Sequence, residues 1–141
     1  MFFNKKKEQK PIFESVDIAI CTLLIHTAKT DEKYEEQEKE LIKKYLLESQ
    51  KDEKYIKDLV LYCENKEKDS IEILHMTKEI KKLEYNKRLE IVEMMLKIIY
   101  SDRQLCNFED RLIRKVSGLI YIESKDLGEI KIKVKNDIYS K

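Results

Sequence analysis

Three features of the 141-residue sequence predict an all-α fold, a compact bundle of about seven helices. Only two Gly and one Pro occur in the whole chain, so few positions force a helix to break. Lys, Glu and Leu are abundant and lose little rotamer freedom in a helix, while Ile suits a buried stripe. Apolar residues also recur at i, i+3, i+4 and i+7 in one stretch after another, the period of a helix with one buried face.

Pro11 marks the start of order after a flexible basic tail, residues 1–11. The tail reads first as a solubilising segment. Phe2, Phe3, Lys5, Lys6 and Lys7 also equip it for weak peripheral contact with an anionic membrane surface. One helical domain, 12–141, is expected to follow. Its first helix spans about 13–30, with Val16, Ala19, Ile20, Leu23, Leu24 and Ala28 on the stripe. After a loop from Thr30 to Tyr34, a second helix at about 35–49 turns Leu41, Ile42, Tyr45 and Leu46 inward. The third, about 53–65, carries Tyr55, Ile56, Leu59, Val60 and Cys63. A weaker fourth, about 67–81, carries Ile71, Leu74 and His75 or Lys78. Leu89, Val92, Met95, Leu96 and Ile99 predict a fifth helix over about 84–101. Leu112, Ile113, Val116, Leu119 and Ile120 predict a sixth over about 107–121. The last begins near 124 with Leu127, Ile130, Val134 and Ile138. Ile130 to Val134 alternates with lysines as a strand would, but a lone strand has no partner, so helix is expected.

Composition narrows the function. Hydrophobic residues make up 42 %, enough for a core despite 40 % charged residues. Basic and acidic residues nearly cancel at 29 and 28, unlike a dedicated nucleic-acid binder with its basic stripe. Cys21, Cys63 and Cys106 form no CxxC pair and read as reduced thiols of a cytoplasmic protein. The N-terminus lacks the apolar core of a signal peptide, and the longest apolar run, Ile18 to Ile25, is too short to span a bilayer.

The chain repeats itself. A shift of 71 residues superposes Ile20 on Ile91, Leu24 on Met95, Ile25 on Leu96 and Ala28 on Ile99. The same shift places Asp31 on Asp102, Glu38 on Glu109, Leu41 on Leu112, Ile42 on Ile113, and Lys43 and Lys44 on Arg114 and Lys115. Each half is therefore expected to be a helix–loop–helix whose turn holds an Asp and, seven residues on, a Glu. Helical period constrains the apolar matches; it does not place two acids in register.

Two readings of the acids follow. Hard divalent cations such as Ca²⁺, Mg²⁺ or Mn²⁺ take carboxylate oxygens, so Asp31, Glu38, Asp102 and Glu109 are candidate ligands, with Glu35 as a further oxygen. Alternatively the acids cap helices and favour the macrodipole, as Asn107 and Asp110 also suggest, in a metal-independent structural or adaptor domain. No EF-hand loop, nucleotide fingerprint or Ser-His-Asp arrangement occurs, no organic cofactor is implied, and an enzyme is not expected. His26 and His75 lack an i+3 or i+4 ligand partner and read as residues beside the core and on a surface. Cys21 and Cys63 read as small core hydrophobes, and the eight tyrosines as the edges of amphipathic faces.

The stretch from Leu23 to Asp31, with Glu38 seven beyond, is similar to the repeat of the tellurite-resistance TerB-like family. So is Met95 to Asp102, followed by Glu109 and Leu112-Ile113-Arg114-Lys115-Val116. The family pattern is an apolar helix ending Ala-x-Ala-Asp-Gly, a Glu six residues after that Gly, and another apolar helix; the resemblance covers about residues 13–139. It implies about seven helices with acids gathered on one face, a metal-binding role for Asp31, Glu38, Asp102 and Glu109, and stress-associated work in the bacterial cytoplasm through a protein partner. A related domain fronts a DnaJ-type co-chaperone. The family's glycine after the aspartate is here Glu32 in the first half and Arg103 in the second, and the acid at Glu35 becomes Cys106. Arg103 places a cation where it can neutralise Asp102 or Glu109 without a metal.

Overall fold

The computed structural model describes residues 13–29, 35–49, 51–67, 73–101 and 107–139. These hold seven helices and, among the described residues, no strand. They are α1 (Ser15–Lys29), α2 (Glu36–Leu47), α3 (Glu53–Glu67), α4 (Ile73–Ile80), α5 (Tyr85–Tyr100), α6 (Asn107–Leu119) and α7 (Ser124–Tyr139). The expected tail, the loop with Asp31, the segment with Asp102 and Cys106, and the side chain of Glu109 lie outside the described residues.

The repeat is larger than the sequence predicts. Moved by 71 residues, the bounds of α1, α2 and α3 fall within one residue of those of α5, α6 and α7. Each half is a three-helix unit, and α4 stands between them. The third helix escaped the sequence comparison because its equivalences are similar rather than identical: Ile56 matches Leu127, Leu59 matches Ile130, and Cys63 matches Val134.

The two equivalent helices α1 and α5 form the centre of the bundle. They pack on one another, and each packs on the second and third helices of its own half. Their composition demands this. α1 buries Ala19, Ile20, Cys21, Leu23, Leu24, Ile25 and Ala28, almost its whole circumference, and a helix apolar all round is stable only inside. α5 buries Ile91, Val92, Met94, Met95, Leu96, Ile98, Ile99 and Tyr100. Each large aliphatic chain so removed from water contributes about 1.5–3 kcal/mol. Buried Thr27 satisfies its hydroxyl by donating to the Leu23 carbonyl one turn back, at 2.8 Å.

The outer helices bury single stripes: Ile42 and Leu46 on α2, Ile56, Leu59, Val60 and Cys63 on α3, and Leu112, Ile113 and Val116 on α6. Residues 130–134 are helical, with Val134 buried, as expected. The fourth helix differs. Residue 67 belongs to α3, α4 begins at Ile73, and its inward stripe is Ile73, Met76, Thr77 and Ile80. Leu74, expected inside, is 67 % exposed, and His75 and Lys78 are exposed with it. Thr77 is polar, but its hydroxyl donates to the Ile73 carbonyl at 2.9 Å, so it can enter the core. No described helix is long and apolar enough to cross a membrane.

Candidate functional site

The opening turn of α2 holds the best-defined candidate. Glu35 is the N-cap residue, extended at φ −105° and ψ 175°. Its backbone N–H donates to Glu38 Oε1 at 2.9 Å, one arm of a capping box that satisfies a donor no helical carbonyl can reach. Glu36 and Glu38 both lie in the first turn, where the positive end of the helix dipole favours anions. Glu35 is exposed, whereas Glu38 is only 8 % exposed, unusual for a carboxylate.

Glu38 faces the other half of the molecule. Its Oε2 lies 3.4 Å from the Ser101 hydroxyl, at the carboxyl end of α5, which itself donates to the Ile98 carbonyl at 2.7 Å. Ser101 immediately precedes Asp102. The start of one half's second helix therefore sits against the end of the other half's first, the juxtaposition that a paired repeat requires. Among the described residues, Glu38 has neutral hydrogen-bond donors and no salt bridge. A buried carboxylate in that setting fits a hard cation, because among the described residues no charged donor engages Oε2.

Of the other expected ligands, Asp31 and Asp102 lie outside the described residues, and Glu109 lies in the first turn of α6 with its side chain outside them. Among the described residues, no group of three or more His, Cys, Asp and Glu is placed to hold a metal. His75 is exposed and His26 half-buried beside the core.

Three arrangements escaped sequence reasoning. A small cleft of about 160 Å³ lies between α2 and α5, lined by Tyr45, Glu48, Glu90, Glu93, Met94 and Lys97. The Tyr45 hydroxyl is buried there without a partner among the described residues. Burial, then the neighbouring Glu90, Glu48 and Glu93, pushes the Tyr45 phenol well above its ordinary value. Glu93 pairs with Lys97 at 3.5 Å and with Lys133 at 3.2 Å, and Glu90 with Lys87 at 3.4 Å.

The second arrangement caps two helices alike. The Tyr55 hydroxyl donates to Asp17 at 2.8 Å and accepts the Glu14 N–H at 3.3 Å. Tyr85 donates to Asp126 and accepts the Glu123 N–H at 3.1 Å. The signal was in the sequence, because Glu14-Ser15-Val16-Asp17 and Glu123-Ser124-Lys125-Asp126 share the pattern Glu-Ser-x-Asp. The third is the end of α6. Ile122 N–H donates to the Ser117 carbonyl at 2.9 Å and Tyr121 N–H to Gly118 at 3.3 Å, a Schellman closure. It puts Tyr121 at φ 59°, where glycine is usual. Arg88 secures the closure by donating to the Ile120 carbonyl at 2.7 Å and to Leu83 at 3.0 Å.

No curated protein and no solved structure matches the chain. The family model described as Tellurite resistance protein TerB matches residues 17–132, from the first turn of α1 to the middle of α7. That span takes in both three-helix units and the Glu38–Ser101 junction, and on it the chain belongs to the TerB family.

Proposed function

We propose that this TerB module is non-catalytic and holds one divalent cation, Ca²⁺, Mg²⁺ or Mn²⁺, between its two acidic turns. Asp31 and Glu38 serve from the first half, Asp102 and Glu109 from the second, with Glu35 as an additional oxygen. The module acts in a cytoplasmic stress response through a protein partner, as the family resemblance suggests. The observation that carries the cation site is the buried Glu38 carboxylate, set with one oxygen beside the Ser101 hydroxyl of the other half. The repeat extends the argument: position 109 is the equivalent of Glu38, and Thr30 is the equivalent of Ser101, so a reciprocal arrangement is expected at the second turn. Four acids close together are costly unless a cation offsets their repulsion.

Calorimetric titration with each ion tests the site. The expected result is binding to the natural chain and none to a chain carrying Asp31→Asn with Asp102→Asn. The metal-independent adaptor reading is favoured by one observation, the capping hydrogen bond from Glu35 N–H to Glu38. Under that reading no ion gives heat or raises Tm, and the Asn substitutions alter stability alone.

A further inference from the structure

Cys21 on α1 and Cys63 on α3 meet where the two helices pack, and neither has any solvent exposure. Each thiol is the largest single influence on the other's ionisation. Cys63 also donates to the Ile18 carbonyl, with its Sγ at 3.8 Å. The repeat supplies an internal control for what packing requires. The equivalent positions in the second half are Val92 on α5 and Val134 on α7, both fully buried. Valine fills that contact, so shape does not call for sulfur there, yet the first half places two thiols at the one junction and holds them in mutual reach.

We propose that Cys21 and Cys63 form a dithiol–disulfide couple, oxidised by hydrogen peroxide, that staples α1 to α3 within the first half. Both helices are already seated against each other, so the cross-link needs local adjustment rather than repacking. The neighbouring Cys21 holds the Cys63 thiol below its ordinary range, while Cys63 and burial push Cys21 up, so Cys63 reacts first. Its thiolate attacks one peroxide oxygen and the O–O bond breaks. The departing hydroxide takes up the proton lost from the thiol, giving one water and a sulfenic acid on Cys63. The Cys21 sulfur then displaces the sulfenic oxygen, which leaves with the Cys21 proton as a second water while the S–S bond forms. Two thiols are oxidised by two electrons and one peroxide is reduced to two waters. Access comes through local opening of the helix contact, which makes the reaction slow.

The test uses the full chain with Cys106→Ser, so that only these two thiols remain, treated with hydrogen peroxide under native conditions. The expected product is about 2 Da lighter, and its non-reduced digest joins the peptides of Cys21 and Cys63. Tm rises by about 10 °C, because the cross-link restricts the unfolded chain over a long loop, and dithiothreitol reverses the rise. A chain with Cys21→Val and Cys63→Val, copying the second half, is expected to fold and to show no peroxide-dependent shift. Thiols that remain alkylatable, or that advance to sulfinic acids without a cross-link, would overturn the proposal. So would a cross-link that leaves Tm unchanged. The peptide map does not depend on the valine pair, so its failure to fold would leave the test intact.

Discussion

Arg88 ties α5 to the end of α6, and Arg88→Ala measures that tie. The guanidinium makes two well-placed bonds to carbonyls, to Ile120 at 2.7 Å and Leu83 at 3.0 Å, and lies 5.1 Å from the centre of the Tyr85 ring. Hydrogen bonds from a charged donor contribute about 1.5–3 kcal/mol when buried. Arg88 is half-buried, so about 1 kcal/mol each is the appropriate figure, with about 0.5 kcal/mol for the cation–π contact. The expected loss is about 2.5 kcal/mol, or roughly 8 °C in Tm for a chain of this size. Urea unfolding followed by circular dichroism should show the midpoint falling at constant slope. Arg88→Lys should recover about half, since an ammonium cannot reach both carbonyls with a rigid fork. A loss under about 0.5 kcal/mol for alanine, or lysine equal to arginine, would refute the assignment.

Two further outcomes follow from the same geometry. Because folding raises the Tyr45 phenol, the native state keeps that proton longer than the unfolded chain. Its stabilisation is therefore complete below the ordinary phenol value of 10.0 and declines as pH climbs above it. Tyr45→Phe should flatten this alkaline loss while costing little at neutral pH, because the removed hydroxyl has no described partner; denaturation midpoints from pH 8 to 11 report the difference. Tyr55→Phe and Tyr85→Phe should each cost about 1 kcal/mol through the exposed helix starts of α1 and α7, and the double variant should cost their sum. Marked non-additivity in urea midpoints would show that the two caps are not independent.

Much of the fold was legible because the signals that encode it are local. The stripes on α1 and α5 follow helical period, and the shift of 71 residues exposed the duplication through Asp31 and Asp102, Glu38 and Glu109. The third helix of each half was legible as a helix but not as part of the repeat, since packing conserves size at Cys63 and Val134 rather than identity. The stripe of α4 was placed through Leu74, whereas Leu74 is exposed and Thr77 is buried. An eight-residue helix offers few positions to set its phase, and the Thr77 hydroxyl is satisfied by its own backbone. The acidic turns were visible as spacing. That Glu38 would be buried beside Ser101 was not, because it depends on how the halves pack. The opposing thiols and the buried Tyr45 hydroxyl are likewise products of tertiary contact that no sequence interval announces.

Room-temperature electron paramagnetic resonance of added Mn²⁺ addresses the shared cation most directly, because it counts free and bound ion. One Mn²⁺ per chain is expected, with binding abolished by Glu38→Gln alone and equally by Asp102→Asn alone, since residues from both halves would hold the same ion. Two ions per chain, no bound ion, or binding indifferent to Glu38→Gln would contradict a site built across the repeat.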